Sequence, residues 1–297
     1  MEVQNEVKAI LNKLGLPFGE IVKSGAGFRN EVWLTDDYAI KMYNDNIGGY
    51  GKERWFYQTV QPLYAPRLIA YGQAYIILER VHGNGLFCLW RDMNDIKREA
   101  AVAQIADIAC KINQVCLDGA ENYFHITDDW QQNVYQRIHG NIAKLISANG
   151  IPPVLAQRVL HYTLDHVHCL DDKRMHLVYA DLHFDNLIIT ENGKLYLLDY
   201  EMLEAGPCDL VLDVWQRMLI HPFIYANEAD HAQTVPRDYQ HILTWLKKYV
   251  PDLFKHPHVR ERVSLYGVMY ELDMLCNYPM AGLSIERLEM YLDGMAW

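Results

Sequence analysis

The chain has 297 residues, of which 51% are hydrophobic and 22% charged, and its formal net charge is −11. This length and composition indicate an ordinary globular protein with one large domain or two lobes, and no run approaches the roughly 18 apolar residues of a membrane span. The acidic balance disfavours nucleic acid, whose phosphates need Lys and Arg partners; it suits a cationic small substrate, or serves solubility alone.

The N-terminal part is predicted to combine helices with short strands. Apolar residues recur at helical spacing from Val3 to Leu14, and Gly15 with Pro17 ends that helix. A second helix is predicted near residues 50–60. The β-like runs cover residues 19–24, 31–35, 38–43, 67–71 and 74–79.

After Gly83-Asn84-Gly85 the pattern becomes mainly helical. The helical patterns cover residues 95–116, 129–148, 153–171, 209–220, 236–250, 258–277 and 284–293. The sequence therefore predicts an α+β protein: a small, β-rich N-lobe over residues 1–80, a hinge near 79–85, and a larger, mainly helical C-lobe over 81–297.

The stretch 178–201 carries the most chemical information. It sets Asp181, Asn186 and Asp199 around two short apolar strands that a Glu-Asn-Gly turn joins. The strands are predicted at residues 187–190 and 195–198. In kinases, one such carboxylate accepts the proton of the attacking hydroxyl, while an amide and a second carboxylate hold Mg²⁺. A turn with Asx caps is the alternative, but unpaired acids beside apolar residues would be costly to bury, which favours a site.

Two N-terminal features complete this kinase template. Lys41 alternates with apolar residues in a predicted strand, and a kinase uses such a lysine on the nucleotide phosphates with a helix glutamate to orient it. Glu53 is the expected partner and Glu31 a less favoured one; a solvent-facing lysine is the alternative. Gly25 and Gly27 would let the backbone approach phosphates, or would form an ordinary turn.

The order of these motifs resembles the aminoglycoside phosphotransferase and choline kinase superfamily. Val178–Asn186 and Leu197–Glu201 are similar to its pattern His-Gly-Asp-Leu-His-x-x-Asn, a hairpin, and Ile-Asp-[aromatic]-[Glu/Asp]. Tyr179-Ala180 stands where that pattern has His-Gly. Gly25–Asn30 resembles the family's loop, which often ends in Ser/Thr-Asn. The resemblance extends over residues 19–215 and leaves the later helices without a matching motif.

This resemblance implies a bilobal protein-kinase-like fold, ATP or GTP as donor, Mg²⁺, and a small-molecule hydroxyl as acceptor. It implies that His183 shapes the catalytic loop and that Asp213, with Asp209 as the rival, braces it. The functional residues it implies are Lys41 and Glu53 at the phosphates, Asp181 as base, Asn186 and Asp199 at the metal, and the backbone of Glu79 and Val81 at the nucleotide base.

Two features indicate the compartment. The polar, acidic N-terminus is a poor signal peptide. The six cysteines are scattered without a Cys-x-x-Cys pair, so reduced thiols are expected. We therefore predict a cytoplasmic protein that binds neither nucleic acid nor membrane, and the sequence leaves its oligomeric state open.

The acceptor is predicted to be small and cationic, of the aminoglycoside type. Glu201, directly after Asp199-Tyr200, resembles choline-kinase-like members, so choline- or ethanolamine-type kinases are an alternative. A sugar kinase and a catalytically idle kinase-like binding protein are the others. Acids that would line an amine-binding wall are Asp230, Glu271 and Asp273. Aromatic residues that would cage an amine, or fill the core, are Trp90, Trp130, Trp215, Tyr225, Tyr270 and Tyr278.

One further cluster lies on the predicted helix 153–171. His161 and Asp165 are one turn apart, as metal ligands can be, with His166 and His168 nearby. Because no third ligand supports the pair, we expect a polar helix face rather than a metal site.

Overall fold

The structure is a computed structural model that describes residues 2–25, 30–44, 47–60, 64–221, 234–278 and 282–294. The chain forms two compact units, each assembled from segments that are distant in sequence. The first unit comprises Met1–Met93, Asn122–Phe124 and Phe184–Leu203, and the second comprises Asn94–Glu121, His125–His183 and Glu204–Trp297. The predicted lobe boundary near residues 79–85 stays a prediction.

The first unit is built on a five-stranded antiparallel sheet. Its strands are β1 (Val22–Lys23), β2 (Glu31–Leu34), β3 (Tyr38–Met42), β4 (Leu68–Tyr71) and β5 (Tyr75–Glu79). Their order across the sheet is β1-β2-β3-β5-β4. Helix α1 (Glu2–Lys13) buries Val7 and Leu11 in one core cluster with Trp33, Ile40 and Ile77. This apolar stripe at helical spacing explains why the helix packs on the sheet.

The rest of the first unit holds the hairpin that the sequence predicts. It contains the elements α2 (Ile47–Thr59), β6 (Asn84–Gly85), α3 (Leu86–Trp90), β8 (Leu187–Ile189) and β9 (Leu195–Leu197). In a second antiparallel sheet, the central strand β8 pairs with β6 on one side and with β9 on the other. A Cβ at Gly83 would lie 2.5 Å from the Ile189 carbonyl oxygen, so only glycine permits this close approach before β6.

The second unit is mainly helical. Its helices are α4 (Asp95–Asn113), α5 (Trp130–Ser147), α6 (Pro153–His166), α7 (Val211–Ile220), α8 (Ile242–Tyr249), α9 (Val259–Asn277) and α10 (Gly282–Leu292), and its strands β7 (His176–Tyr179) and β10 (Leu203–Gly206) pair with each other. Side chains cap two helix starts: Asn94 accepts from the Lys97 N–H and Asp129 from the Gln132 N–H, at 3.0 and 2.9 Å.

The predicted fold class is confirmed: a small antiparallel-sheet region is followed by a larger helical part. Three helical predictions were too long. Helix α4, predicted over residues 95–116, ends at Asn113. Helix α6 ends at His166, where a 3-10 turn, Val167–Cys169, tightens the chain, and the pattern 236–250 divides into a 3-10 turn at Pro236–Tyr239 and α8. The short elements α3 and β10 were not predicted. In the ranges that the structure describes, no helix has both the length and the apolar character needed to cross a membrane.

Candidate active site

Lys41 and Glu53 meet in the first unit. Lys41 lies on the central strand β3 and is 8% exposed, while Glu53 on α2 is fully buried. The Lys41 Nζ lies 2.8 Å from Glu53 Oε2. Glu31, the less favoured partner in the sequence, instead pairs with Lys23 at 2.6 Å. Lys41 is thus a buried, paired lysine and not a solvent-facing one.

Two further carboxylates lie near the same ammonium. Asp199 Oδ2 is 3.0 Å from the Lys41 Nζ, and Glu201 Oε2 is 3.9 Å away. Burial lowers the pKa of Lys41, but the three carboxylates outweigh it, and the net shift is upward. Burial raises the pKa of Glu53 to about 7; Lys41 opposes the rise and Asp199 adds to it. Because three carboxylates surround one ammonium, the cluster carries an excess of negative charge that would favour the binding of another cation.

The aromatic residue of the Asp199-Tyr200-Glu201 motif explains its geometry. The Tyr200 ring is 1% exposed and stacks on Phe56 of α2 with the ring centroids 4.2 Å apart. The Glu201 N–H donates to Asp199 Oδ1 at 3.0 Å. Tyr200 thus anchors the motif in the apolar core, and the carboxylates on either side of it both lie near Lys41.

Asn186 lies at the same end of the hairpin as Asp199. It ends a 3-10 turn directly before β8. Its backbone carbonyl accepts from the Leu198 N–H at 3.1 Å, and Leu187 is paired with Leu197 in the β8–β9 register. This pairing brings the predicted metal-binding amide next to the segment that carries the predicted metal-binding carboxylate.

The donor set of this cluster fits Mg²⁺. Carboxylate oxygens of Glu53, Asp199 and Glu201 lie within 4.8 Å of one another. Glu53 Oε1 is buried and has no hydrogen-bond partner in the described part of the chain. Oxygen donors of this kind suit a hard divalent cation. The sequence analysis did not assign Glu201 to the site. Its position directly after Tyr200, the aromatic residue that anchors the motif, could have indicated that it lies near Asp199.

The glycine loop is only partly described. Gly25 is exposed, and a Cβ there would meet nothing within 4 Å; Gly27 lies outside the described residues. At the end of the loop, Asn30 is 6% exposed, and its Nδ2 donates to Glu201 Oε2 at 2.8 Å. No local pattern predicts this contact, since its partners are 171 residues apart.

The predicted hinge follows directly from β5. The Glu79 N–H donates to the Arg67 carbonyl at 2.9 Å, and the Arg80 N–H donates to the Asp37 carbonyl at 2.8 Å. The backbone of Val81 makes no hydrogen bond to the described part of the chain. The segment is therefore anchored up to Arg80, and the role of Glu79 and Val81 at a nucleotide base stays a prediction.

Asp181 belongs to the second unit. Its Oδ2 lies 3.3 Å from Nε2 of His183, and the side chains of these two residues are 26% and 10% exposed. The indole Nε1 of Trp215 on α7 donates to the Leu182 carbonyl at 3.2 Å. The histidine thus orients the carboxylate, and the tryptophan fixes the backbone between them. The sequence analysis treated Trp215 only as a core or cage residue.

Asp213, which was predicted to brace the catalytic loop, pairs with two other groups of the second unit. Asp213 accepts from Arg217 Nε at 3.1 Å and from the Tyr291 hydroxyl at 3.3 Å, and burial raises the pKa of Asp213 to about 6. Its rival Asp209 is held by Arg262 Nε at 2.6 Å. The bracing role of these two acids stays a prediction, and the structure adds Trp215 as a residue that contacts the backbone of this loop, at Leu182.

The acids predicted to bind amines are already paired inside the second unit. Glu271 is fully buried and accepts from Arg287 Nη2 at 2.7 Å. Asp273 accepts from Arg137 Nε at 2.9 Å and from Asn141 at 2.5 Å. The third candidate, Asp230, lies outside the described residues.

Most of the described aromatic candidates are packing residues. Trp90, Trp130 and Trp215 are 1–2% exposed, and the ring of Tyr270 lies 3.3 Å from the Arg217 guanidinium carbon. Tyr278 is half-buried, and Tyr225 lies outside the described residues.

Among the described residues, no third ligand joins the histidines of α6. His161 and Asp165 are exposed. Across the described ranges, three metal-ligand side chains come together only at Glu53, Asp199 and Glu201.

No family model and no curated protein matches the sequence. Solved structures do match. A thermostable mutant of aminoglycoside phosphotransferase APH(4)-Ia in its apo form has a TM-score of 0.70 and 15% identity, over 97% of this chain and 99% of that one. ADP-bound aminoglycoside phosphotransferase APH(2'')-Ib has a TM-score of 0.68 and 14% identity, over 97% of each chain.

A third match is the GDP complex of aminoglycoside 2'-phosphotransferase-IIIa, with a TM-score of 0.68 and 15% identity over 99% of this chain and 98% of that one. At these identities the likeness shows the fold. The chain has the kinase-like fold of these phosphotransferases along almost its whole length.

Proposed function

We propose that this protein is a small-molecule kinase, which transfers the γ-phosphoryl group of ATP or GTP to a hydroxyl of a small acceptor. The observation that carries this proposal is the contact of one buried lysine, Lys41, with both a helix glutamate, Glu53, and the hairpin aspartate, Asp199, at 2.8 and 3.0 Å. Phosphoryl transfer uses such a lysine on the nucleotide phosphates and such an aspartate on the metal.

Each candidate site residue of the first unit has one role in the proposed reaction. Lys41 contacts the phosphates, and Glu53 keeps its ammonium charged and in place. Asn186 and Asp199 would hold Mg²⁺, which when bound neutralises the charge of the phosphate oxygens. The remaining nucleotide contacts that we propose come from the backbone of Gly25, Gly27, Glu79 and Val81.

Asp181 is the base of the proposed reaction. It orients the acceptor hydroxyl and takes its proton as the new O–P bond forms and the bond between the γ-phosphorus and the bridging oxygen breaks. The contact from His183 Nε2 to Asp181 Oδ2 supports this role, because it limits the rotation of the carboxylate. A positioned proton acceptor contributes typically about 10²–10⁴-fold to the rate.

The acceptor class that we propose to test first is an aminoglycoside. The fold likeness and the net charge of −11 support a cationic acceptor. Amine contacts would come from acids other than Glu271 and Asp273, since both are paired with arginines. Choline and ethanolamine are the second class, on the evidence of Glu201 after Asp199-Tyr200. Glu201 also contacts Asn30 and Lys41, so its presence can be explained without a choline-type acceptor.

A phosphate-transfer screen tests the proposal. Purified protein is incubated with labelled ATP or GTP and Mg²⁺ against aminoglycosides, amino alcohols and sugars, all of which a cytoplasmic enzyme could meet. We expect a phosphorylated product from one class, and an Asp181→Asn variant slower by roughly 10²–10⁴-fold with unchanged nucleotide affinity. Nucleotide binding without Mg²⁺ dependence and without any transfer would support the idle, binding-only alternative.

A further inference from the structure

A buried polar contact joins the end of the glycine loop to the metal-binding motif. Asn30 and the side chain of Glu201 are 6% and 10% exposed, and Asn30 Nδ2 donates to Glu201 Oε2 at 2.8 Å. A hydrogen bond to an ionised carboxylate is stronger than one between neutral groups. Within the first unit, this contact closes a separation of 171 residues along the chain.

Glu201 also contacts the two residues proposed to bind the phosphates and Mg²⁺, Lys41 and Asp199. Its Oε2, the oxygen that accepts from Asn30, lies 3.9 Å from the Lys41 Nζ, and its backbone N–H donates to Asp199 Oδ1 at 3.0 Å. One residue therefore touches the end of the loop, the phosphate-binding lysine and the carboxylate proposed to hold Mg²⁺.

The strand register extends this connection to Lys41. Asn30 directly precedes β2, and β2 pairs with β3 through Glu31 opposite Met42 and Val32 opposite Lys41. A displacement of Asn30 would therefore act on the strand that is hydrogen-bonded next to Lys41. The pair with Glu201 fixes the start of β2 relative to the Asp199 motif.

We propose that Asn30 and Glu201 form a positioning pair, which holds the loop end, Lys41 and Asp199 in one fixed spacing, so that nucleotide affinity depends on their bond. This inference rests on the proposed kinase function. Glu201 also lies among the oxygens that fit a metal, and direct ligation of Mg²⁺ is the competing role. The two roles differ in what they require: positioning requires a hydrogen-bond acceptor at residue 201, whereas ligation requires a carboxylate.

The test measures the affinity for a fluorescent, non-hydrolysable ATP analogue with Mg²⁺ and with EDTA. Asn30→Ala should weaken affinity about tenfold under both conditions, which corresponds to the loss of one buried, charge-assisted hydrogen bond. Glu201→Gln should lose less, because its amide oxygen still accepts from Asn30. Asn30→Asp should lose most through like-charge repulsion. Asn30→Asp combined with Glu201→Gln should regain affinity, because the amide introduced at position 201 then donates to the carboxylate introduced at position 30.

A matched control comes from the second unit. Asn141 is also 6% exposed and donates to the carboxylate of Asp273 at 2.5 Å. Asn141→Ala should lower thermal stability as Asn30→Ala does, with no change in nucleotide affinity. If it weakens nucleotide binding equally, general destabilisation explains both variants and the positioning role is wrong.

Two other results would overturn the proposal. One is an Asn30→Ala variant with wild-type affinity. The other is a Glu201→Gln variant that loses at least as much as Asn30→Ala, and loses it only when Mg²⁺ is present, which would make Glu201 a metal ligand.

If wild-type protein binds no nucleotide, the proposed function fails, and hydrogen exchange without ligand decides the pair separately. Faster amide exchange in Asn30→Ala at both residues 30–34 and residues 195–203 supports coupling, and faster exchange at one segment or neither contradicts it.

Discussion

The buried acids of the two units differ in their cationic partners. In the second unit, four buried or half-buried acids pair with arginines: Asp209 with Arg262, Asp213 with Arg217, Glu271 with Arg287 and Asp273 with Arg137. Two of these arginines contact a second acid, Arg262 with Asp172 and Arg137 with Glu204, so no arginine faces more than two carboxylates in these pairs. In the first unit, three acids share the single ammonium of Lys41.

This difference separates stability from function. An acid that pairs with an arginine is balanced inside the fold, and such a pair needs no ligand. Acids that crowd one lysine repel each other, which is costly without a further positive charge. Such an arrangement is typical of sites where a ligand supplies that charge. We therefore interpret the paired acids as structural and the crowded acids as functional.

The largest expected effect is on stability in the second unit. Glu271→Ala leaves the Arg287 guanidinium, itself 7% exposed, without its carboxylate, so the free energy of unfolding should fall by about 3–5 kcal/mol in a denaturant titration. Nucleotide affinity, measured at a temperature well below the melting temperature of the variant, should not change. The control Arg158→Ala breaks an exposed pair with Asp293 and should cost at most about 1 kcal/mol. A Glu271→Ala variant that is stable but has a raised KM for an amine acceptor would restore the amine-wall prediction.

The matched change in the first unit should have the reverse outcome. Glu53→Gln keeps an acceptor for Lys41 and Tyr43 and removes one of the three crowded charges. The free energy of unfolding should stay within about 1 kcal/mol of wild type. Phosphate transfer should fall by roughly 10²-fold, because the lysine loses its orienting charge. A large loss of stability with normal transfer would reverse our interpretation of the two units.

Mg²⁺ alone should stabilise the protein through the crowded cluster. A ligand that binds only the folded state at 100 times its dissociation constant adds about 2.7 kcal/mol, which thermal melts with and without Mg²⁺ can measure. Asp199→Asn should abolish the increase. Asp209→Asn, a carboxylate-to-amide change in the second unit, should retain it. An equal increase in wild type and Asp199→Asn would place the metal elsewhere.

The smallest effect is expected at the catalytic loop. Trp215→Phe removes the Nε1 donor to the Leu182 carbonyl and keeps an aromatic ring on α7. The lost hydrogen bond should cost about 1 kcal/mol, or roughly fivefold in kcat, through poorer positioning of the neighbouring Asp181. KM for the nucleotide should not change. If kcat is unaffected, Trp215 is only a core residue, as the sequence alone indicated.

The sequence predicted the features that local patterns determine. Strand alternation located Lys41, helical spacing located Glu53 one element later, and the Glu-Asn-Gly turn predicted the hairpin that brings Asn186 near Asp199. In each case a short-range pattern fixes the element, and the next element along the chain supplies the partner. For this reason both the fold class and the pairing of Lys41 with Glu53 could be anticipated.

The features that the sequence missed depend on contacts between distant residues. Asn30 reaches Glu201 across 171 residues, and Trp215 reaches Leu182 across 33. The sequence also did not show that Arg287 pairs with Glu271, so a structural acid was interpreted as an amine-binding one. Periodicity shows which face of an element is buried but not which polar group meets it there. Acceptor specificity depends on such contacts, which is why the sequence left several classes open.

The most direct measurement of the central claim is a calorimetric titration of wild-type protein with ATP and with GTP, in Mg²⁺ and in EDTA. If the acids around Lys41 form a magnesium–nucleotide site, at least one nucleotide should bind about tenfold or more tightly with Mg²⁺, since the metal neutralises charge between phosphates and carboxylates. Asp199→Asn should remove that difference and Asp181→Asn should preserve it. Equal affinities with and without Mg²⁺ in the wild type would contradict the claim.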